Sequence, residues 1–110
     1  MGAVNVLASA NIHAFRALQI AAFAQARVPA IYQWPETAEQ GGFIAYGPRY
    51  TAICRQVAEL ANKILRGAKP ADLPVEQPTR FELIINMKAA NAMGIKIPPS
   101  IMVRAEKVIE

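Results

Sequence analysis

Cys54 and His13 are the only cysteine and histidine in the chain, so a thiolate–imidazole pair would have to be made of these two. A nucleophilic cysteine needs a helix N-terminus or an adjacent cation to favour the thiolate. Cys54 falls instead inside a helical repeat beside Ile53, where a small buried thiol is the expectation, and Arg55 belongs to another face of that helix. One Cys and one His also cannot supply the several N and S ligands of a zinc centre, and no metal or cofactor is expected. The acidic residues offer two close pairs, Glu36 with Glu39 and Asp72 with Glu76. The second pair lies in a Pro-rich stretch and reads as solvated surface charge. Glu36 follows a short apolar run, at the kind of position where open α/β sheets bind ligands. Trp34 stands in the same loop between Gln33 and Pro35, either as a lid over the sheet end or as a contact for a ligand or partner. Gly41-Gly42 leads into an apolar strand and not a helix, and Gly47-Pro48 lacks a GK[ST] signature, so there is no phosphate loop. No catalytic set assembles from these residues.

The elements that must hold them follow from the apolar pattern. Residues 3–7 form a short Val-rich run that ends in small and capping residues, a buried strand followed by a loop. Helical spacing then places Phe15, Leu18 and Ala22 on one face, with Ser9 or Asn11 as N-cap and Arg27 as the close. Residues 28–32 restart a strand, 37–40 allow at most one helical turn, and 43–46 form a third strand. The longest periodic segment covers residues 49–66, with Ile53, Val57, Leu60, Ala61 and Ile64 on one face, and stops at Gly67. Residues 68–78 carry three prolines and no period, an extended surface connection. A fourth strand over 80–86, a short helix over 88–93 ended by Gly94, and a last helix over 101–108 complete the chain. Strands alternating with helices predict a parallel α/β sheet in a three-layer sandwich.

With 110 residues, 54% of them apolar and 18% charged, the chain has the size of one α/β unit and too little polarity for disorder. Twelve Lys and Arg give a net charge of +4, but no two are adjacent, which leaves no basic patch and no nucleic-acid partner. Ala8-Ser9-Ala10 resembles a signal-peptidase site, yet no Lys or Arg precedes it and the apolar run is too short for a signal core. A membrane span is ruled out by Asn5, Ser9, Asn11, His13, Arg16 and Gln19.

Three stretches carry a further likeness: Gly-Gly-Phe-Ile-Ala-Tyr-Gly-Pro from Gly41 to Pro48, LRGAKPADLPVEQP from Leu65 to Pro78, and Phe81-Glu82-Leu83-Ile84-Ile85-Asn86. With Pro98-Pro99-Ser100 and the closing residues 104–110, they resemble the C-terminal part of the ABC-transporter substrate-binding proteins, of the type that includes tryptophan and tyrosine importers. The resemblance covers essentially the whole chain. It implies one lobe of a type I periplasmic binding protein, the C-terminal part of a two-lobed chain whose N-terminal lobe and signal peptide are absent here. It implies too a periplasmic or cell-envelope location, an ABC permease as partner, and no enzymatic activity.

By position, the resemblance places ligand-facing groups at Ser9 and Asn11 after the first strand, at Gln33, Trp34 and Glu36 after the second, and at Tyr46, where the chain crosses toward the other lobe. The implied solute is an amino acid or similar small organic molecule, its ammonium paired with Glu36 and its side chain stacked on Trp34 or Tyr46. Lobe closure would hinge near Tyr46-Gly47 and after Gly67. The long helix would leave an apolar face uncovered, so that self-association of the chain is expected. The alternative is a stand-alone flavodoxin-like interaction or regulatory domain with no small-molecule ligand.

Overall fold

The computed structural model describes residues 2–110. A five-stranded sheet runs in the order β1 (Val4–Val6), β2 (Ala30–Tyr32), β3 (Ile44–Gly47), β4 (Glu82–Asn86), β5 (Lys107–Ile109). Between β1 and β2 lie α1 (Ala10–Ala14) and α2 (Arg16–Ala26), and between β2 and β3 lies α3 (Pro35–Glu39). The long helix α4 (Tyr50–Leu65) and the Pro-rich return lead to β4, and α5 (Met87–Met93) and α6 (Pro99–Met102) lead to β5. Residue alternation explains which side chains meet. Ala30, Tyr32, Ala45 and Ile84 share a face and are buried with Ala38, packed against Ile20 and Phe23 of α2. Ile85 packs with Ala90 and Ile97 in a second cluster that includes Phe43, Ile44, Leu83 and Met102. The fold is α/β, as the strand and helix alternation predicts.

Two expectations are corrected. The sheet is mostly, not wholly, parallel: β3 and β4 pair antiparallel, with Gly47 opposite Glu82. The excursion through α4 leaves from the carboxyl end of β3 and returns to that same end, so β4 must run back along β3. The last segment is also not one helix over 101–108. It turns after Met102, Glu106 N–H donates to Leu83 O at 2.8 Å, and Val108 and Ile109 join the sheet as β5 beside β4. The β-branched pair gains more from an apolar sheet edge than from a helix with no face to bury.

Smaller differences follow from local chemistry. The first helix breaks at Phe15 (φ −100°, ψ 18°), and side chains take over carbonyls near the break. Gln19 Nε2 donates to Ile12 O at 3.0 Å and Arg16 Nη1 to His13 O at 3.0 Å. Gly67 adopts φ +107° just after α4, in the left-handed region that glycine accepts most readily. Asn86 caps α5 by accepting from Ala89 N–H at 3.2 Å.

α4 has the predicted amphipathic pattern but buries none of its residues, and it extends the molecule to 55 × 30 × 21 Å. Val57 is 59% exposed and Leu65 87%. Cys54 is exposed with them, which overturns its expected burial: the helix period is right, but the sheet does not cover that face. None of the helices described is long and apolar enough to cross a membrane.

Candidate functional site

The segments that follow β1, β2 and β3 converge at the carboxyl ends of the strands. Ser9 is the extended N-cap of α1; Gln33 and Trp34 lead into α3, where Pro35 takes the first turn; Pro48 and Arg49 lead into α4, which begins with Tyr50. Gly47 allows the second and third of these to touch, because any Cβ there would overlap the carbonyl of Gln33. The convergence brings three rings together. His13 lies 4.9 Å from Tyr50, centroid to centroid and tilted by 30°, and 6.4 Å from Trp34 in an edge arrangement. Trp34 and Tyr50 meet edge to face at 5.3 Å. These rings, with Ala8, Ser9, Ala10 and Ala14, wall a cleft of about 440 Å3. Beneath it a narrow recess reaches Arg16, Gln19 and Thr37.

The acidic groups around the cleft are already partnered. Glu36 accepts from the backbone N–H of Tyr50 and of Thr51, each at 3.2 Å, and so closes the amino end of α4. Arg49 forks onto Glu82 at 2.8 and 3.1 Å and onto Glu39 at 2.9 and 3.3 Å. The hydrogen bonds from Arg49 hold the Glu82 carboxyl below the usual range, and the same bonds, to Glu82 first and Glu39 second, raise the Arg49 guanidinium. Burial pushes the Tyr32 hydroxyl up. On the cleft side, His13 Nδ1 and Gln19 Oε1 are buried with no hydrogen-bond partner in the described protein.

The residues singled out in the sequence are divided among three places. Ser9 and Trp34 line the cleft, and Gln33 lines the recess below it. Asn11 is exposed in the first turn of α1, outside the lining. Glu36 faces the start of α4. Tyr46 stands apart, stacked on Phe81 at 5.9 Å in a neighbouring groove that shares Gln33. His13 and Cys54, the one possible thiol–imidazole pair, make no hydrogen bond to each other. Sequence reasoning missed His13 and Tyr50 as cleft residues. The signal for Tyr50 was there: it follows the carboxyl end of a strand as Trp34 does. His13 had none, since only the fold sets its helix against the start of α4. Among the described residues no three His, Cys, Asp or Glu side chains group as a metal site.

The sequence profile described as "ABC transporter substrate binding protein" matches residues 3–109. The chain belongs to the ABC transporter substrate-binding protein family. Solved structures agree with this assignment. A conserved domain protein from Vibrio cholerae is similar at 29% identity and a TM-score of 0.85, over 96% of this chain and 36% of its own. An ABC domain from Streptococcus pneumonia in complex with L-Trp is similar at 26% identity and a TM-score of 0.84, over 99% of this chain and 38% of its own. A ligand-free, open substrate-binding protein from Clostridium difficile shares the fold at 21% identity and a TM-score of 0.58. No curated protein matches. This member of the substrate-binding family therefore spans little more than a third of the length of those solved relatives.

Proposed function

We propose that the chain forms one wall of a solute cleft in the binding protein of an ABC importer, and that this wall takes the ring of a small organic solute, aromatic amino acids included. The observation that carries the reading is the three-ring cluster of His13, Trp34 and Tyr50, set at the carboxyl ends of neighbouring strands. The L-Trp complex of the Streptococcus pneumonia relative supports an aromatic ligand. On this reading Ser9, Gln33 and Trp34 contact the solute together with His13 and Tyr50. Glu36 acts one step back by fixing the start of α4, while Asn11 and Tyr46 border the site. The opposite wall comes from polypeptide that corresponds to the rest of the relatives' length. The loaded protein hands its solute to a membrane permease from a periplasmic or cell-envelope location, with no catalytic step.

A thermal-shift screen with the twenty amino acids and a set of aromatic acids and amines tests this. A ligand at ten times its Kd stabilises by about 1.4 kcal/mol, a shift of several degrees for a domain of this size. Aromatic compounds raise the melting temperature, and Trp34→Ala removes the shift. A screen in which no aromatic compound moves it overturns the reading.

A further inference from the structure

The cleft has a charge as well as a shape. Its nearby carboxylates are taken up elsewhere, Glu36 by the amino end of α4 and Glu39 by Arg49. Arg16 lines the recess under the rings, bonded through Nη1 to the carbonyl oxygen of His13 and through Nε to Gln40 Oε1 at 2.6 Å. Among the described residues it has no carboxylate within 4.0 Å. Among the described residues Arg16 is the charged side chain that lines the cleft or its recess, a cation without a counter-ion, and a cleft of low polarity amplifies its preference for an anion.

His13 adds a directional group. Its Nδ1 is buried without a partner, whereas Nε2 makes no hydrogen bond within the described protein and remains accessible. A buried N–H without an acceptor is rarer and costlier than a buried lone pair, so the neutral ring is assigned its proton on Nε2. The accessible edge of the imidazole is then a donor. Stacking against Tyr50 and edge contact with Trp34 fix the plane in which it points.

We propose that this wall reads the ring and the carboxylate of an aromatic acid, with His13 Nε2–H as the donor and Arg16 as the uncompensated charge beneath it, and does not read an ammonium group. The inference rests on the cleft being the solute site. It replaces the pairing of a ligand ammonium with Glu36, whose oxygens are already occupied by the amides of Tyr50 and Thr51.

Trp34 is the only tryptophan, so its emission reports on the cleft without a label. The chain is titrated at fixed ionic strength with phenylpropanoate, phenethylamine and L-phenylalanine, which present the same ring with a carboxylate, an ammonium or both. The expected result is a Kd for phenylpropanoate at least tenfold below that for phenethylamine, as one charge-assisted hydrogen bond supplies. His13→Phe keeps a ring against Tyr50 and removes the donor; it should collapse the preference to within about twofold. His13→Leu serves as the second variant if the larger ring is not accommodated. Equal or tighter binding of phenethylamine overturns the proposal and leaves the cleft assignment standing. A carboxylate preference that survives both His13 variants overturns the role of His13. Emission unaffected by all three probes overturns the cleft assignment itself.

Discussion

Arg49 joins the strand that leaves the sheet to the strand that returns, and its removal has a calculable cost. In Arg49→Met the fork onto Glu82 and the fork onto Glu39 are both lost. The side chains of Glu82 and Glu39 are 13% and 27% exposed, so the first carboxylate is left with little water to replace its partner. A hydrogen bond to a charged group contributes about 1.5–3 kcal/mol where shielded. The more exposed Glu39 pair adds about 0.5 kcal/mol. A loss of about 2.5 kcal/mol corresponds to a fall in melting temperature of about 10 °C for a domain of this size. The pH dependence has a fixed sign. Glu82 ionises more readily folded than unfolded, so its contribution is present above the ordinary carboxylate range and is lost as pH falls through its depressed folded value. Melting curves followed by circular dichroism should therefore show a constant gap between the two proteins from pH 7 to about 5, which narrows below about pH 4. A gap under about 3 °C at pH 7, or one undiminished at about pH 2.5, would refute the assignment of this network as a stabilising link.

Three further outcomes are expected. Asn86→Ala removes both the bond to Ala38 O at 3.1 Å and the cap on Ala89 N–H from a buried site, and should cost about 2 kcal/mol in urea denaturation; Asn86→Asp should recover the cap's share alone. Gly47→Ala forces a methyl group into the Gln33 carbonyl, and should lower stability by about 2–3 kcal/mol and red-shift the emission of Trp34 as its loop is pushed outward. Val57→Asp should change the chain's stability by less than about 0.5 kcal/mol, because α4 buries nothing against the sheet; a large loss would mean that this face is part of the core.

The order and nature of most elements could be read from the chain because periodicity is a local property. Val4, Val6, Ala30 and Tyr32 alternate as the two faces of a sheet demand, and the repeat of Ile53, Val57, Leu60 and Ile64 is helical whatever covers it. Pairing direction is not local. Nothing within residues 80–86 says that they run against β3; that follows from where the excursion re-enters. The burial of Cys54 was misjudged for the same reason, since a helix period tells which face is apolar and not whether a neighbour is present. In the site, Trp34 was recognisable as an aromatic residue in a loop at a strand end. His13 was hidden among alanines of a helix, and Glu36 looked like an open carboxylate until the start of α4 was placed on it.

Residues 48–81 join β3 to β4 as one long excursion, in which no residue of α4 or of the Pro-rich return is fully buried. Closing a loop of that length costs about 3 kcal/mol of chain entropy, and the pairing it must close, β3 with β4, lies inside the sheet and not at its edge. Formation of the native sheet is thus held back by the pairing of greatest sequence separation, which it cannot omit. Trimming the excursion to a tight turn between β3 and β4 would recover roughly 2 kcal/mol of that entropy and speed folding, while removing Tyr50 from the cleft. The length that slows the sheet is the length that brings a third ring to the site.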